Sequence, residues 1–247
     1  MPLRARSARR LLLTLPIACA IAAGATTAFA QGGATAEART GREIYLGDCA
    51  TCHGPTGRGS DRGPTLEGVG AAAIDFMVRT GRMPLDHPDD PSMRRPPAYD
   101  RAAQRRLIAY ATELTGGGPA VPEVDLAAGD LSEGGRLYRL QCAACHSWAG
   151  NGGALADRAA PAVTPASPVE IAEAVRTGPG AMPVFGSSAI SDDQLSSLVA
   201  YTHALQDPDD RGGWALWHLG PMSEGAAGLI LGVGGLLVVA RWLGTRT

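Results

Sequence analysis

The fold class predicted for this 247-residue chain is all-α: two tandem copies of one small helical domain, then a helix that crosses a membrane. Three observations predict it. The residues around Cys49 recur around Cys142, apolar positions fall at helical rather than strand spacing, and the stretch from Gly225 to Ala240 carries no charge.

The repeat is long enough to define a domain. Upstream of the cysteines, Gly41, Ile44 and Tyr45 fall opposite Gly134, Leu137 and Tyr138; downstream, Gly57 and Gly59 fall opposite Gly150 and Gly152. Further on, Val78-Arg79-Thr80-Gly81-Arg82-Met83-Pro84 is echoed by Val175-Arg176-Thr177-Gly178-Pro179-Gly180-Ala181-Met182-Pro183. Each copy therefore reads as helix, cysteine motif, Gly/Pro-rich loop, short helix, Met-Pro, terminal helix. In the first terminal helix Leu107, Tyr110, Ala111 and Leu114 form an apolar stripe at i, i+3, i+4 and i+7. Leu195, Leu198, Val199 and Thr202 do the same in the second, with Ser191 as its N-cap.

The chemistry lies in two Cys-x-x-Cys-His pentads, Cys49 to His53 and Cys142 to His146. This is the attachment signature of a c-type haem, in which both thiols become thioethers and the histidine offers its imidazole to the iron. One helical turn sets both sulfurs at the edge of the macrocycle. A redox disulfide requires a strand–helix–strand setting, and a zinc site requires a second ligand pair to close its tetrahedron. Each copy instead has its own complete set of haem signals. Two covalently bound haems c are expected, and so small a domain then uses its haem as part of its core.

Each half resembles a class I cytochrome c domain. The resemblance implies that His53 and His146 are proximal ligands and that Met83 and Met182 supply the distal thioethers. A thioether opposite an imidazole raises the potential. Proline after each methionine stiffens the presenting loop. Met93 and His87, in the longer loop of the first copy, are rivals for the first iron; Met77 reads as core and His203 as surface or packing. The chain contains no lysine, all 22 cations being arginine, which excludes a lysine ligand.

The ends define the compartment. Residues 1–30 read as an export signal: Arg4, Arg6, Arg9 and Arg10 precede an apolar run, and Ala28-Phe29-Ala30 forms a cleavage site. Retention as an N-terminal anchor is the other reading, and Cys19 within the run is an apolar filler. At the C-terminus, residues 220–244 are long enough for a bilayer crossing, with Trp214 and Trp217 at one border and Trp242 at the other. A buried soluble helix is the competing reading. Arg241 and Arg246 follow the uncharged stretch from Gly225 to Ala240 and Glu224 precedes it, so the tail should be cytoplasmic and the haems outside. Gly228, Gly232 and Gly235 offer small-residue faces for another helix. Formal net charge is −2, and export processing leaves the rest modestly acidic. Acids collect in the second copy (Asp192, Asp193, Asp207, Asp209, Asp210), and Arg94, Arg95, Arg101, Arg105 and Arg106 lie in the first. No nucleic-acid signal is present.

Composition divides the chain into a first domain at 38–116, a linker at 117–130, a second domain at 131–207 and the span at 220–244. No general acid, base or nucleophile constellation accompanies the pentads. The full layout is similar to the dihaem cytochrome c subunit of the actinobacterial-type cytochrome bc complex, a quinol–cytochrome c reductase. The residues that carry this are the paired pentads, Arg82-Met83-Pro84, Arg94-Arg95-Pro96-Pro97, and Gly220-Pro221-Met222-Ser223-Glu224-Gly225 opening the last helix. The resemblance implies a cytochrome b subunit, a Rieske iron–sulfur subunit and a heme-copper terminal oxidase as partners. Electrons would pass from the Rieske protein through both haems to the oxidase. A free-standing tethered carrier and a dihaem oxidoreductase acting on a small substrate are the alternatives.

Overall fold

The computed structural model describes residues 39–154, 159–206 and 221–245. The export signal, Cys19, Trp214, Trp217 and the acidic joint from Asp207 lie outside the described residues. The chain divides into two compact units at Gly118/Pro119.

In the first unit Thr40 begins helix α1 (Gly41–Ile44) with a reciprocal cap: its hydroxyl accepts from Glu43 N, and the Glu43 carboxylate accepts from Thr40 N at 2.6 Å. The helix widens into a π-turn over Tyr45–Cys49 and continues as α2 (Ala50–His53). α3 (Gly70–Arg79) buries Ile74, Phe76 and Val78. α4 (Arg101–Thr115) is capped by Asp100, whose carboxylate accepts from Ala102 N and Ala103 N at 2.8 Å. α1 and α3 both pack against α4. The core comprises Ile44, Tyr45, Ile74, Val78, Ala103, Leu107 and Ala111.

The second unit repeats this order. Asp130 caps α5 (Leu131–Gln141), and α6 (Ala143–His146) holds the second pentad. α7 (Pro168–Thr177) begins with proline at its first turn, where the missing N–H is not needed, and ends at Gly178 in the left-handed region. α8 (Asp192–Ala204) carries the Ser191 cap expected from sequence, with Gln194 returning the bond. Leu195, Leu198, Val199 and Thr202 are all buried, and α8 packs along α5. Residues from the linker belong to this packing: Asp125 N donates to Ser196 Oγ, Asp130 N donates to Ser197 Oγ, and Val124 joins the core.

One addition to the expected elements is a two-residue antiparallel pair, β1 (Gly153–Ala154) with β2 (Ala159–Ala160), registered Gly153 to Ala160. It is too short to alter the all-α class.

A close helix crossing explains the matched glycines. A Cβ on Gly41 would lie 2.0 Å from Arg106 O, and one on Gly134 would lie 2.0 Å from Ser197 O. Only hydrogen fits at either place. Beside each crossing a tyrosine pair packs at a tilt: Tyr45 with Tyr110 at 5.7 Å between ring centroids, and Tyr138 with Tyr201 at 5.6 Å.

Helix α9 (Pro221–Gly244) is the one described helix long and apolar enough to cross a membrane, over Ser223–Gly244. Its 22 residues rise about 33 Å, against about 30 Å of hydrocarbon. Leu229, Ile230, Leu231, Leu236, Leu237 and Val238 are all exposed on it.

Candidate haem attachment sites

Each pentad ends in an imidazole whose orientation is fixed by a proline carbonyl. His53 Nδ1 lies 2.8 Å from Pro64 O, and His146 Nδ1 lies 2.8 Å from Pro161 O. A carbonyl only accepts, so Nδ1 carries the proton in both rings and Nε2 presents a bare lone pair, the form that binds a metal. The backbone around each histidine is tied down as well. Gly59 N donates to His53 O at 2.8 Å, and Gly152 N donates to His146 O at 3.0 Å. Gly59 and Gly152 both sit at φ +82°, where an L side chain is strained. This is why glycines recur at matched distances after each pentad.

The buried tyrosine of each copy reaches the residue after the histidine. Tyr45 Oη donates to Gly54 O and Tyr138 Oη donates to Ser147 O, both at 2.8 Å. Burial raises both phenols above their ordinary range, so each remains a donor.

Cys49, Cys52, Cys142 and Cys145 are half-buried and unpaired. Burial pushes the first thiol of each pentad up to about 11, with Asp48 adding to the effect at Cys49 and Cys145 at Cys142. Among the described residues no three His, Cys, Asp or Glu side chains converge as a metal cluster. Two free thiols one turn apart, followed by an imidazole with a bare Nε2, fit a covalently attached haem c in each copy. The chain thus has two such attachment sites.

The methionines are positioned by different local devices. Arg82 N and Met83 N both donate to Met77 O, at 2.9 and 3.0 Å, which folds the first loop back on the end of α3. Arg95 N donates to Thr80 O at 3.1 Å and closes the longer loop that follows. Met182 N donates to Pro179 O at 3.2 Å, and its side chain packs against the core around Leu137, Tyr138 and Ala143. Both methionines are half-buried, whereas Met93 is 63% exposed and His87 is exposed. Met77 is half-buried and His203 exposed.

Several residues that shape these sites have no obvious mark in the sequence. Tyr99 Oη donates to Asp48 Oδ2 at 2.9 Å beside Cys49, and Arg39 pairs with the same carboxylate at 3.0 Å. Burial and that bond hold the Tyr99 phenol far above its usual range. In the second copy Arg176 is buried and donates to Phe185 O and Ile190 O, at 2.9 and 2.7 Å, and to the Asp192 carboxylate at 2.6 Å. It thereby pins the loop after Met182. The matched Arg79 pairs instead with Asp75 on its own helix. Pro64 and Pro161 carry no such mark either, because they follow their histidines at different distances.

Comparison with known proteins agrees with this geometry. The family profile described as cytochrome c oxidase, cbb3-type, subunit III matches twice, at residues 36–110 and 129–201. A Corynebacterium diphtheriae protein named cytochrome bc1 complex cytochrome c subunit is 35% identical, covering 92% of this chain and 88% of its own length. A Mycobacterium tuberculosis protein of the same name is 37% identical, covering 96% and 89%. A cytochrome c6 from Leptolyngbya boryana is 37% identical over 29% of this chain, the length of a single copy. Two haem c sites on one repeated all-α scaffold, similar in sequence to these relatives over nearly the whole chain, make this protein a member of the cytochrome bc1 complex cytochrome c subunit family.

Proposed function

We propose that this chain is the membrane-anchored dihaem cytochrome c subunit of a proton-translocating quinol–cytochrome c reductase, passing electrons from a Rieske iron–sulfur subunit to a heme-copper terminal oxidase. The observation that carries the reading is that two haem c copies and a C-terminal span occur together in a chain matching the bc1-complex relatives over 92–96% of its length. A free-standing carrier would need no such full-length likeness. Its domains comprise residues 38–116 and 131–207, joined by 117–130, with the span at 220–244. A cytochrome b subunit is the third partner. The haem domains lie on the extracytoplasmic side, and the tail beyond the span lies in the cytoplasm.

The side chains divide the work simply. Cys49 and Cys52, and Cys142 and Cys145, hold the two haems covalently. His53, through Nε2, and Met83 would hold one iron, and His146, through Nε2, and Met182 the other. Held in this way, haem would supply a one-electron iron centre for outer-sphere transfer. Pro64 O and Pro161 O fix each imidazole tautomer and increase its basicity through Nδ1–H. The tyrosines hold the turn beyond each histidine, and the glycine crossings close each domain over its pentad. No side chain is asked to move a proton.

The test is purification of the tagged chain from its native membranes in mild detergent, with protein identification and reduced-minus-oxidised spectra. Cytochrome b and a Rieske protein should co-purify, with b-type bands beside the c-type. A two-haem protein arriving alone would leave the tethered carrier as the better reading.

A further inference from the structure

The two copies differ in the charged groups beside the methionine loop. The short helices α3 and α7 align through Val-Arg-Thr-Gly, and both end in the same bond: Thr80 Oγ1 donates to Phe76 O at 2.6 Å, and Thr177 Oγ1 donates to Glu173 O at 2.7 Å. Phe76 and Glu173 thus hold one structural position. In the first copy the Arg82 guanidinium carbon lies 4.8 Å from the Phe76 ring centroid, within cation–π range, and its Nη1 is shielded from solvent. Arg82 immediately precedes Met83, and both backbone N–H groups are anchored on Met77 O, so the cation is held beside the sulfur-bearing residue. The second copy has Pro179-Gly180-Ala181 before Met182 and no arginine there. Where the first copy places an aromatic shelf, the second places Glu173, whose side chain belongs to a fully buried residue.

We infer that Arg82 makes the first domain the higher-potential of the two redox centres, so that a single electron shared by the chain resides there. Ferric haem carries one more positive charge than ferrous, and a fixed cation in a partly desolvated setting opposes that added charge more strongly than it would in water. The second domain lacks the cation and has a carboxylic acid at the matched helix position, which adds nothing in that direction. The exchange is balanced within the chain: one centre loses an electron, the other gains it, and no proton or outside reactant is needed. Arg82 is a tuning residue that acts on the site through its charge. The inference rests on Met83 and Met182 as the distal ligands.

The experiment is an equilibrium redox titration of the detergent-solubilised full chain, with the near-infrared band of thioether-ligated ferric haem followed in parallel. Met182→His, which lowers the second-domain component, assigns the two midpoints. The higher midpoint should belong to the first domain. Arg82→Gln should lower it by about 59 mV, tenfold in a one-electron equilibrium, and leave the other component in place. Arg82→Lys, which keeps the charge, should restore most of the shift. If Arg82→Gln loses the near-infrared band, Arg82→Met keeps the apolar stem on the ring and is judged in the same way. A higher midpoint assigned to the second domain would overturn the inference, as would an uncharged variant that keeps the band and both midpoints. Absence of the band from the wild-type first domain would instead overturn the ligand assignment.

Discussion

Replacing Gly134 by alanine tests the central packing claim for the second domain. The added methyl would sit 2.0 Å from Ser197 O and 2.8 Å from Tyr201 Cβ, roughly 1.5 Å inside ordinary contact at the carbonyl. A backbone carbonyl in a packed helix cannot rotate away, so α5 and α8 must separate and loosen the Tyr138–Tyr201 contact. Overpacking of this kind costs about 1–3 kcal/mol, and the backbone obstacle places it at the upper end. Alanine's better helix propensity offsets about 1 kcal/mol, leaving a net loss of about 2 kcal/mol. With a urea slope of about 2 kcal/mol per molar for a small domain, the midpoint falls by about 1 M. The assay is urea unfolding of the detergent-solubilised chain by far-UV circular dichroism, resolving one transition per unit. Gly41→Ala, 2.0 Å from Arg106 O, should lower the other transition by a similar amount. Gly186→Ala is the control, since nothing lies within 4 Å of its Cβ position, and it should move neither. A Gly134→Ala midpoint within about 0.25 M of wild type, equivalent to about 0.5 kcal/mol at that slope, would refute the close crossing.

Other consequences can be measured on the same preparation. Replacing Cys142 and Cys145 together by alanine should halve the covalent haem per chain, read by intact mass and pyridine haemochrome absorbance; an unchanged ratio would contradict two separate sites. Met182→Ala should lower one midpoint and remove part of the near-infrared ligand band, and an undiminished band would exclude Met182 from the iron. Arg176→Ala strands Phe185 O and the carbonyl of buried Ile190, which should cost about 3 kcal/mol in the second transition. Hydrogen bonds from Arg136 and then Gln194 hold the Glu133 carboxylate below its usual 4.5. Its contribution is therefore complete above that value and is lost as pH falls through the lower folded one. The stability gap between wild type and Glu133→Gln should accordingly be present at neutral pH and shrink as the pH falls below 4.5, and a gap that widened in acid would refute it.

Much of the molecule was legible in the residues. The pentads, the matched glycines and the tyrosines carry strict geometric demands, and those demands leave fixed letters at fixed spacing. Gly41 and Gly134 repeat because a carbonyl lies where their side chain would be, and Ser191 shows as a cap because Asp192 and Asp193 follow it in the first turn. What the residues hid is whatever rests on backbone atoms. The carbonyls of Pro64 and Pro161 face equivalent histidines, but one lies 11 residues downstream and the other 15, and the intervening β1–β2 pair shifts the register. Any residue can offer a carbonyl, so composition carries no trace of it. The opposed roles of Arg79 and Arg176 were hidden for another reason. Identical letters at matched positions found different partners, because the loop after Met182 folds back on α7 while Asp75 supplies a partner within α3.

The glycine notches also bear on the order of assembly. Gly41 is filled by the ridge at Arg106, and Gly134 by the ridge at Ser197, so in each copy the pentad is made and delivered well before the helix that closes over it. A chain emerging amino end first presents each pair of thiols on an unfinished domain, its notch still open to solvent. Once the closing helix arrives, Cys49 and Cys142 are half-covered by the cores they help to complete. The late helix thus works as a latch on each half, set by a single glycine.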